Sequence, residues 1–550
     1  MSKLKIGLLV DSVYCSKYIK DLICLIEKSD SLELKKIIVQ DIKVENNLFN
    51  KIYKSYKKNG IFYIIGKALF LIVIRLEKYT ISKNKFFCNH FKSYDLSQYD
   101  LNIYILKPII SKSGFVFKFS DDDISIIESL NLDVLIRCGS GILHGRILRT
   151  CKYGIISFHH GDNKKYRGGP AGFWEVLNKN PSTGFVIQRL TTELDGGDIL
   201  FRGAFPTQSF FTLNQAMLYT KSNIYMKFIL ENIASKKSLQ ILDHGTPYDG
   251  VLYREPNIYK TLLYFVYLLR LLILKFINRI TKRKSIWNVS YIYSEWTKSV
   301  LWKGKVIPNP KKHYLADPFV VSRSEGSYLF VEDFDLIKNK GAIRLYKVNN
   351  DEVEDLGIII EEAFHMSFPF IFEYDEEMYM CPETSESEEI RLYKCIDFPK
   401  KWIFHSIAIK NINAVDTMIF NKDGYWWLFT NVDTSKVQEF CSELLIFYSH
   451  NPLNGNWIPH KKNPVIVNSG IARNGGILVD DKHHYRVAQR QGFLKYGESI
   501  SVRKIDILSE DKYSESEFCT LNTNFDKSAI GIHHMHSHKD ITVYDFCNRV

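Results

Sequence analysis

The chain has 550 residues, 45% hydrophobic and 24% charged, with 73 Lys and Arg against 61 Asp and Glu for a net charge of +12. That balance excludes a disordered, collagenous or coiled-coil chain, and a mean hydropathy of −0.15 excludes a polytopic membrane protein. The basic excess favours partners that carry phosphate: nucleic acid, anionic lipid or a phosphorylated small molecule. At ~150 residues per domain the length allows three or four domains, or two large ones. Ten cysteines are scattered with no Cys-x-x-Cys spacing, so neither a zinc ribbon nor a disulfide scaffold is indicated. The apolar run in MSKLKIGLLVDS is too short for the core of a signal peptide, which predicts a cytosolic protein with reduced thiols.

Lys5 to Val10 reads as a buried parallel strand, and Tyr18 to Ile26 follows with helical periodicity. Asn131 to Gly141 repeats the form, an apolar strand running into a Gly-Ser-Gly turn at 139–141. Strand, glycine turn and helix alternate to about residue 235, the pattern of an open α/β domain that binds ligands at the carboxyl ends of its strands. Two dense apolar stretches interrupt it. Ile61 to Ile74 contains Lys67 and closes on Arg75; Thr261 to Ile277 contains Arg270 and Lys275 and runs on into Arg279, Lys282, Arg283 and Lys284. A mid-segment arginine argues against crossing a bilayer. Two readings of 261–284 stand: a helix buried between domains, or one lying peripherally in a membrane interface with a basic collar.

Beyond Lys284 a unit of strand, polar turn and aromatic-rich strand recurs at 315, 366, 414, 471 and 528, a period of 48 to 57 residues. Several strands per unit at such a period predict a five-bladed β-propeller. The expected division is therefore residues 1–250 as the α/β domain, 251–285 as an apolar-basic connecting helix and 286–550 as the propeller.

The most informative run lies between Gly154 and Leu200. Ser157-Phe158-His159, the spacing to Tyr166-Arg167-Gly168, Thr183-Gly184 and Leu194-Asp195-Gly196-Gly197 resemble the formyltransferase superfamily, whose pattern is Asn-x-His-Pro, then Tyr-Arg-Gly, then Leu-Asp-x-Gly. The resemblance covers roughly residues 1–235 and implies a Rossmann-like open sheet. It implies that His159 contacts the transferred formyl group and assists proton transfer while Asp195 positions His159 or a water. It also implies N10-formyltetrahydrofolate as co-substrate, with Gly139, Ser140 and Gly141 on the loop that approaches the pterin. Formyl transfer to an amine needs a base, an oxyanion donor and a group that orients both. The family's Asn is Ser157 here, a shorter donor; His160, Asn163 or a main-chain N–H are its candidate substitutes. Lys164, Lys165 and Arg167 form a basic cluster, either a solvated loop or a contact to the diphosphate of a nucleotide-sugar.

The second half resembles the five-bladed propellers of furanosidase-type glycoside hydrolases and the amino-terminal propeller of plant glucosamine inositolphosphorylceramide transferases. Ala316-Asp317-Pro318-Phe319 carries an Asp-Pro signature, Asp416 sits at the like position in the third repeat, and Glu383 ends the second repeat's aromatic strand. Ser367-Phe368-Pro369 in the second repeat and Arg473-Asn474 in the fourth align where an Asp would stand. Asp317, Glu383 and Asp416 are the candidate glycan-binding residues. The tract from His533 to His538 would put 534, 536 and 538 on one strand face, but it lacks carboxylate or Cys at ligand spacing, so no metal is expected.

Together these readings predict a cytoplasmic formyltransferase, peripheral at the inner membrane surface if the interfacial reading holds. It would act on a nucleotide-linked amino sugar of lipopolysaccharide or O-antigen synthesis, with a propeller that binds glycan or glycolipid, and no nucleic acid as partner. The alternative is a diverged acyl or glycosyl transferase, or a non-catalytic glycan-binding protein, acting on lipid-linked glycans.

Overall fold

The computed structural model describes residues 3–42, 53, 56–57, 59–99, 103–112, 114–192, 197–245, 248–281, 285–350 and 352–549. The chain divides into two compact units, Met1–Ile273 and Leu274–Val550.

The first unit is built on a seven-stranded sheet. Its strands are β1 (Leu4–Val10), β2 (Leu32–Gln40), β3 (Tyr104–Leu106), β4 (Val134–Arg137), β5 (Ile155–His159), β6 (Ser182–Arg189) and β7 (Asp198–Pro206). Their order is β7-β6-β5-β4-β1-β2-β3. The five from β5 to β3 run parallel, while β6 and β7 are antiparallel. Ile6 to Val10 are all buried, as a central strand covered on both faces requires. Helix α1 (Lys17–Glu27) turns Ile19, Leu22, Ile23 and Ile26 inward at i, i+3, i+4, i+7. Further helices are α2 (Ile61–Ile81), α3 (Asp121–Ser129), α4 (Phe211–Lys236) and α5 (Ile258–Thr281). Ser120 caps α3 by accepting a hydrogen bond from Asp123 N, ahead of three acidic residues that suit the positive end of the helix dipole. Strand order reverses between β1 and β4, and the crevice at their carboxyl ends is where open α/β sheets generally take ligands. Asp11 and Gly139–Gly141 stand there.

The second unit is a propeller of five antiparallel sheets. Four follow in chain order, spanning 313–360, 367–410, 414–467 and 474–521. The fifth combines both ends of the unit: β8 (Ser285–Ile292) pairs with the last strand from Ser285↔Arg549 to Ile292↔Thr542. Pairing the first segment with the last closes the ring without a covalent link. Each of the four chain-ordered blades opens with the same device. The innermost strands, β9 (His313–Arg323), β11 (Ser367–Tyr374), β13 (Ala414–Lys422) and β15 (Asn474–Val479), pair with β10 (Gly326–Asp335), β12 (Glu377–Glu383), β14 (Tyr425–Val432) and β16 (His484–Gly492). Register shifts fall at Ala316/Phe319, Ser367/Phe370, Val415/Met418 and Asn474/Ile477. Asp317, Phe368 and Asp416 take φ of 49°, 46° and 49° there. A β-bulge at one position in each of these four blades turns the residue there away from the ladder. In the fifth blade β17 (Met535–His538) pairs with β18 (Ile541–Arg549), Met535 opposite Tyr544. That register sets His533 at the same position as Asp317.

Candidate functional site

In the first unit the crevice is organised by Asp11. Its carboxylate accepts the Ser140 N–H at 2.8 and 3.0 Å and a hydrogen bond from Gln40 Nε2, which also donates to Ser140 O at 3.0 Å. The Gly139–Gly141 loop is thereby fixed at the switch point. A Cβ at Gly139 would stand 2.4 Å from Asp11 Oδ1 and 2.7 Å from Gln40 Nε2, so this position admits only glycine without displacing the anchor.

Strand β5 carries His159 to its carboxyl end, half-buried, with Nε2 donating to Tyr166 O at 2.9 Å. That bond puts the proton on Nε2 and makes Nδ1 the ring's basic nitrogen. Ser157 is buried two residues earlier and its hydroxyl donates to Phe158 O at 3.3 Å. His160 lies among Phe158, Tyr18 and Tyr219, with centroids 5.1, 5.8 and 4.5 Å away, and contacts Ser222 Oγ at 3.2 Å. Burial lowers its pKa to about 3, so it is a neutral wall residue. Asn163 Oδ1 accepts from Arg202 at 2.6 Å. His160 and Asn163 are thus engaged in packing the loop, which corrects their reading as substitutes for the family's Asn.

The basic cluster is split. Lys164 and Lys165 are exposed, whereas Arg167 is buried, donating Nε to Asn163 O at 3.0 Å with its guanidinium 4.3 Å from the Tyr248 ring centroid. Arg167 braces the loop from inside. Asp195 lies outside the described residues, as do Lys282, Arg283 and Lys284. A pocket of about 350 Å³ opens beside the start of α1, lined by Tyr14, Tyr18, His90, Lys92, Gln215 and Tyr219. Tyr18 and Tyr219 separate it from His160.

In the second unit five carboxylates interact: Asp317, Glu332, Glu383, Asp416 and Asp545. Burial, with the neighbouring acidic charges, pushes Asp317 up to about 7 and Glu383 up to about 8, and raises Glu332 well above the carboxylate range. Arg473 answers them. Its Nε donates to Asp416 Oδ2 at 2.6 Å, and its guanidinium sits 5.1 Å from the Tyr496 ring centroid. Gln489 Nε2 adds a bond to Asp416 Oδ2 at 3.1 Å. Buried carboxyls held partly protonated beside a guanidinium both donate and accept, which matches the hydroxyls of a sugar ring.

The register gives Gly475 the blade-entry position of the fourth repeat, with Arg473 two residues before it, correcting the alignment of Arg473-Asn474 with the blade-entry acids. It also reveals residues the sequence reading passed over. Ala316 pairs with Glu332 as Ser367 pairs with Glu383, so the two glutamates are equivalent positions of successive blades. LFVED and CPE, set in register, carry that signal.

The histidine tract separates by function. His536 Nδ1 accepts from Val320 N at 3.3 Å and His538 Nδ1 from Ser322 N at 3.0 Å, latching the fifth blade to β9. Burial lowers both pKa values, that of His536 to about 3, which suits neutral acceptors. His534 is enclosed by the rings of Phe319 and Phe368. His533 joins the carboxylates, its Nδ1 2.7 Å from Asp545 Oδ2 and its Nε2 3.7 Å from Asp317 Oδ1. Burial disfavours its charged form, yet Asp545 and Asp317 outweigh burial and its pKa rises. Asp317, His533 and Asp545 bring three donor atoms within 4.8 Å of one another, a set that could hold a metal ion. The donors that converge thus include carboxylates brought in from other strands, not the 534, 536 and 538 face.

The family described as Glucosamine inositolphosphorylceramide transferase 1, N-terminal, matches residues 303–543. Glucosamine inositolphosphorylceramide transferase 1 of Arabidopsis thaliana is 39% identical over 210 residues, 37% of this chain and 27% of that protein. Methionyl-tRNA formyltransferase of Rickettsia rickettsii is 28% identical over 136 residues, 24% of this chain and 44% of that protein. Among solved structures, the family 117 glycoside hydrolase Zg3597 of Zobellia galactanivorans is 9% identical with a TM-score of 0.33, covering 48% of this chain and 91% of that one. The chain thus spans about a quarter of the plant transferases it resembles and under half of the formyltransferase. It pairs a formyltransferase-like Rossmann unit with a five-bladed propeller similar to the plant transferases' amino-terminal region.

Proposed function

We propose that the first unit transfers a formyl group from N10-formyltetrahydrofolate to the amino group of a nucleotide-linked amino sugar used in cell-surface polysaccharide synthesis, and that the propeller binds glycan or glycolipid. The observation that carries this reading is His159, held by its Nε2–H at the carboxyl end of β5 in a sheet whose switch-point crevice is bounded by the anchored Gly139–Gly141 loop. The likeness to a methionyl-tRNA formyltransferase supports it. The crevice suits formyl-folate in one respect: Asp11 and Gln40 hold in place the 139–141 loop that the resemblance sets against the pterin. The folate supplies the formyl carbon when bound. His159 Nδ1 takes the proton leaving the acceptor amine, and Lys164 and Lys165, both exposed, are the cations available to a diphosphate. Ser157 is spent on Phe158 O, so the oxyanion is left to main-chain N–H groups.

The full chain incubated with formyl-folate and a panel of dTDP- and GDP-linked amino sugars is expected to release tetrahydrofolate, and His159→Ala to abolish the release. No turnover with any sugar, or turnover unaffected by the substitution, overturns the proposal. The second reading, acyl or glycosyl transfer on a lipid-linked glycan, is favoured by Ser157 and by the 39% identity to a plant glucosamine inositolphosphorylceramide transferase. It predicts product on a lipid-linked acceptor with no consumption of formyl-folate.

A further inference from the structure

Helix α5 presents an apolar stripe that the described residues leave uncovered. Leu262, Val266, Leu269, Ile273, Phe276 and Ile280 recur at spacings of four and three residues, and every one is exposed; Val266 is 60% and Phe276 66% accessible. Only Thr261, Tyr264 and Leu268 are buried. Among the described residues it is the one helix long and apolar enough to cross a membrane. Its attachment argues for another placement. Tyr264 donates its hydroxyl to Glu77 of α2 and accepts from Phe211 N at 2.8 Å, while Tyr267 donates to Ser209 O at 2.8 Å. These bonds fix the amino-terminal half of the helix lengthwise along the body of the first unit.

Charge selects the occupant. α5 carries Lys260, Arg270, Lys275 and Arg279 and no carboxylate. At ~100° per residue, Arg270 and Arg279 lie roughly 80° and 100° to either side of the apolar stripe. A second copy docked on the stripe would set arginine against arginine with no acidic residue on the helix to pair it. Anionic head groups supply what the flanks lack, with the stripe in the acyl region and the cations reaching up beside it. α2, which meets the start of α5 where Gly66 lies against Ile258, also leaves Phe62, Ile72 and Leu76 exposed, with Phe62 75% accessible.

We propose that α5 lies in the plane of an anionic lipid bilayer surface and docks the first unit to it. The inference is independent of the formyl-transfer reading, since no residue of the stripe belongs to either candidate site. The full chain is expected to float with vesicles of phosphatidylcholine containing 30% phosphatidylglycerol, to float at least tenfold less with phosphatidylcholine alone, and to be released by 1 M salt or by carbonate. Val266→Asp with Ile273→Asp is expected to abolish flotation, and Arg270→Gln with Arg279→Gln to reduce it about tenfold. Circular dichroism melts at the wild-type temperature confirm that the variants fold. Three outcomes overturn the proposal: equal flotation of wild type and the aspartate variant, resistance to carbonate as a spanning helix would show, or a dimer in light scattering that the aspartate substitutions dissociate without any vesicle binding.

Discussion

Replacing Arg473 with methionine removes the guanidinium that faces the buried carboxylates of the propeller while keeping much of the side chain's bulk. Arg473 pairs with Asp416 at 2.6 Å, and their side chains are 14% and 4% exposed. Removing one partner of a buried pair costs about 3–5 kcal/mol, because the other charge stays behind unpaired. Here the stranded carboxylate also has Asp317, Glu332 and Glu383 for company. With a urea slope of about 3 kcal/mol per M, the unfolding midpoint should fall by 1 M or more. Seven of the eight tryptophans lie at 287, 296, 302, 402, 426, 427 and 457, so tryptophan fluorescence of the full chain reports this unit. Asp416→Asn in the Arg473→Met background removes the orphan charge and should recover about half of the loss, a coupling that a double-mutant cycle measures directly. A midpoint within 0.3 M of wild type for Arg473→Met would refute the reasoning. So would an Asp416→Asn effect of equal size in both backgrounds.

Three further outcomes are expected. Asp317 and Glu383 bind protons more tightly folded than unfolded, so their contribution is complete below pH 4 and declines as pH rises through about 7 and 8. His533, raised as well, acts in the same direction, so the fluorescence-monitored midpoint should drop progressively from about pH 4 to about pH 8 and level off above it, and Asp317→Asn with Glu383→Gln should flatten the drop; a rise across that range would contradict it. His536→Leu leaves the Val320 N–H without its acceptor and should destabilise the propeller by about 1–3 kcal/mol in the same urea assay, with less loss for Asn, which keeps an acceptor. Gly139→Ala drives a methyl into Asp11 and Gln40 and should weaken formyl-folate binding at least tenfold by calorimetry, and equal affinity would show the loop to be remote from the ligand.

How much of this was legible in the sequence differs between the two halves for a physical reason. A propeller repeats its backbone, so one bulge per blade recurs at a fixed register and marks 317, 368, 416, 475 and 533 as equivalent. The sequence reading found Asp317 and Asp416 through the repeat and Glu383 beside them. It passed over Glu332 and Asp545, which lie on the second strands of their blades, and it noted Arg473 and the histidine tract without joining Arg473 or His533 to the acids, because these face the cluster only after the ring closes. In the first unit no internal repeat exists. The parallel strands and glycine turn could be read from apolar runs, yet the direction of each polar side chain in the loop after β5 depends on what packs beneath it. Arg167 looks like a surface cation beside Lys164 and Lys165, yet the carbonyl of Asn163 and the face of Tyr248 draw it inward.

That contrast bears on how the charge should be understood. Lys-Lys-x-Arg counts as three cations in sequence and as two in the folded loop, and Arg473 is consumed within a cluster of acids. The loop after β5 therefore offers two exposed cations to a phosphate-bearing partner, whereas α5 carries four and no carboxylate. Under the proposed formyl transfer, the crevice needs few fixed cations, since main-chain N–H groups and two lysines can serve a diphosphate. A surface that must find a bilayer needs apolar area flanked by positive charge, and this is what Leu262 to Ile280 with Arg270 and Arg279 provide. On the proposal of a lipid-facing α5, four of the cations behind the +12, Lys260, Arg270, Lys275 and Arg279, act at a bilayer surface.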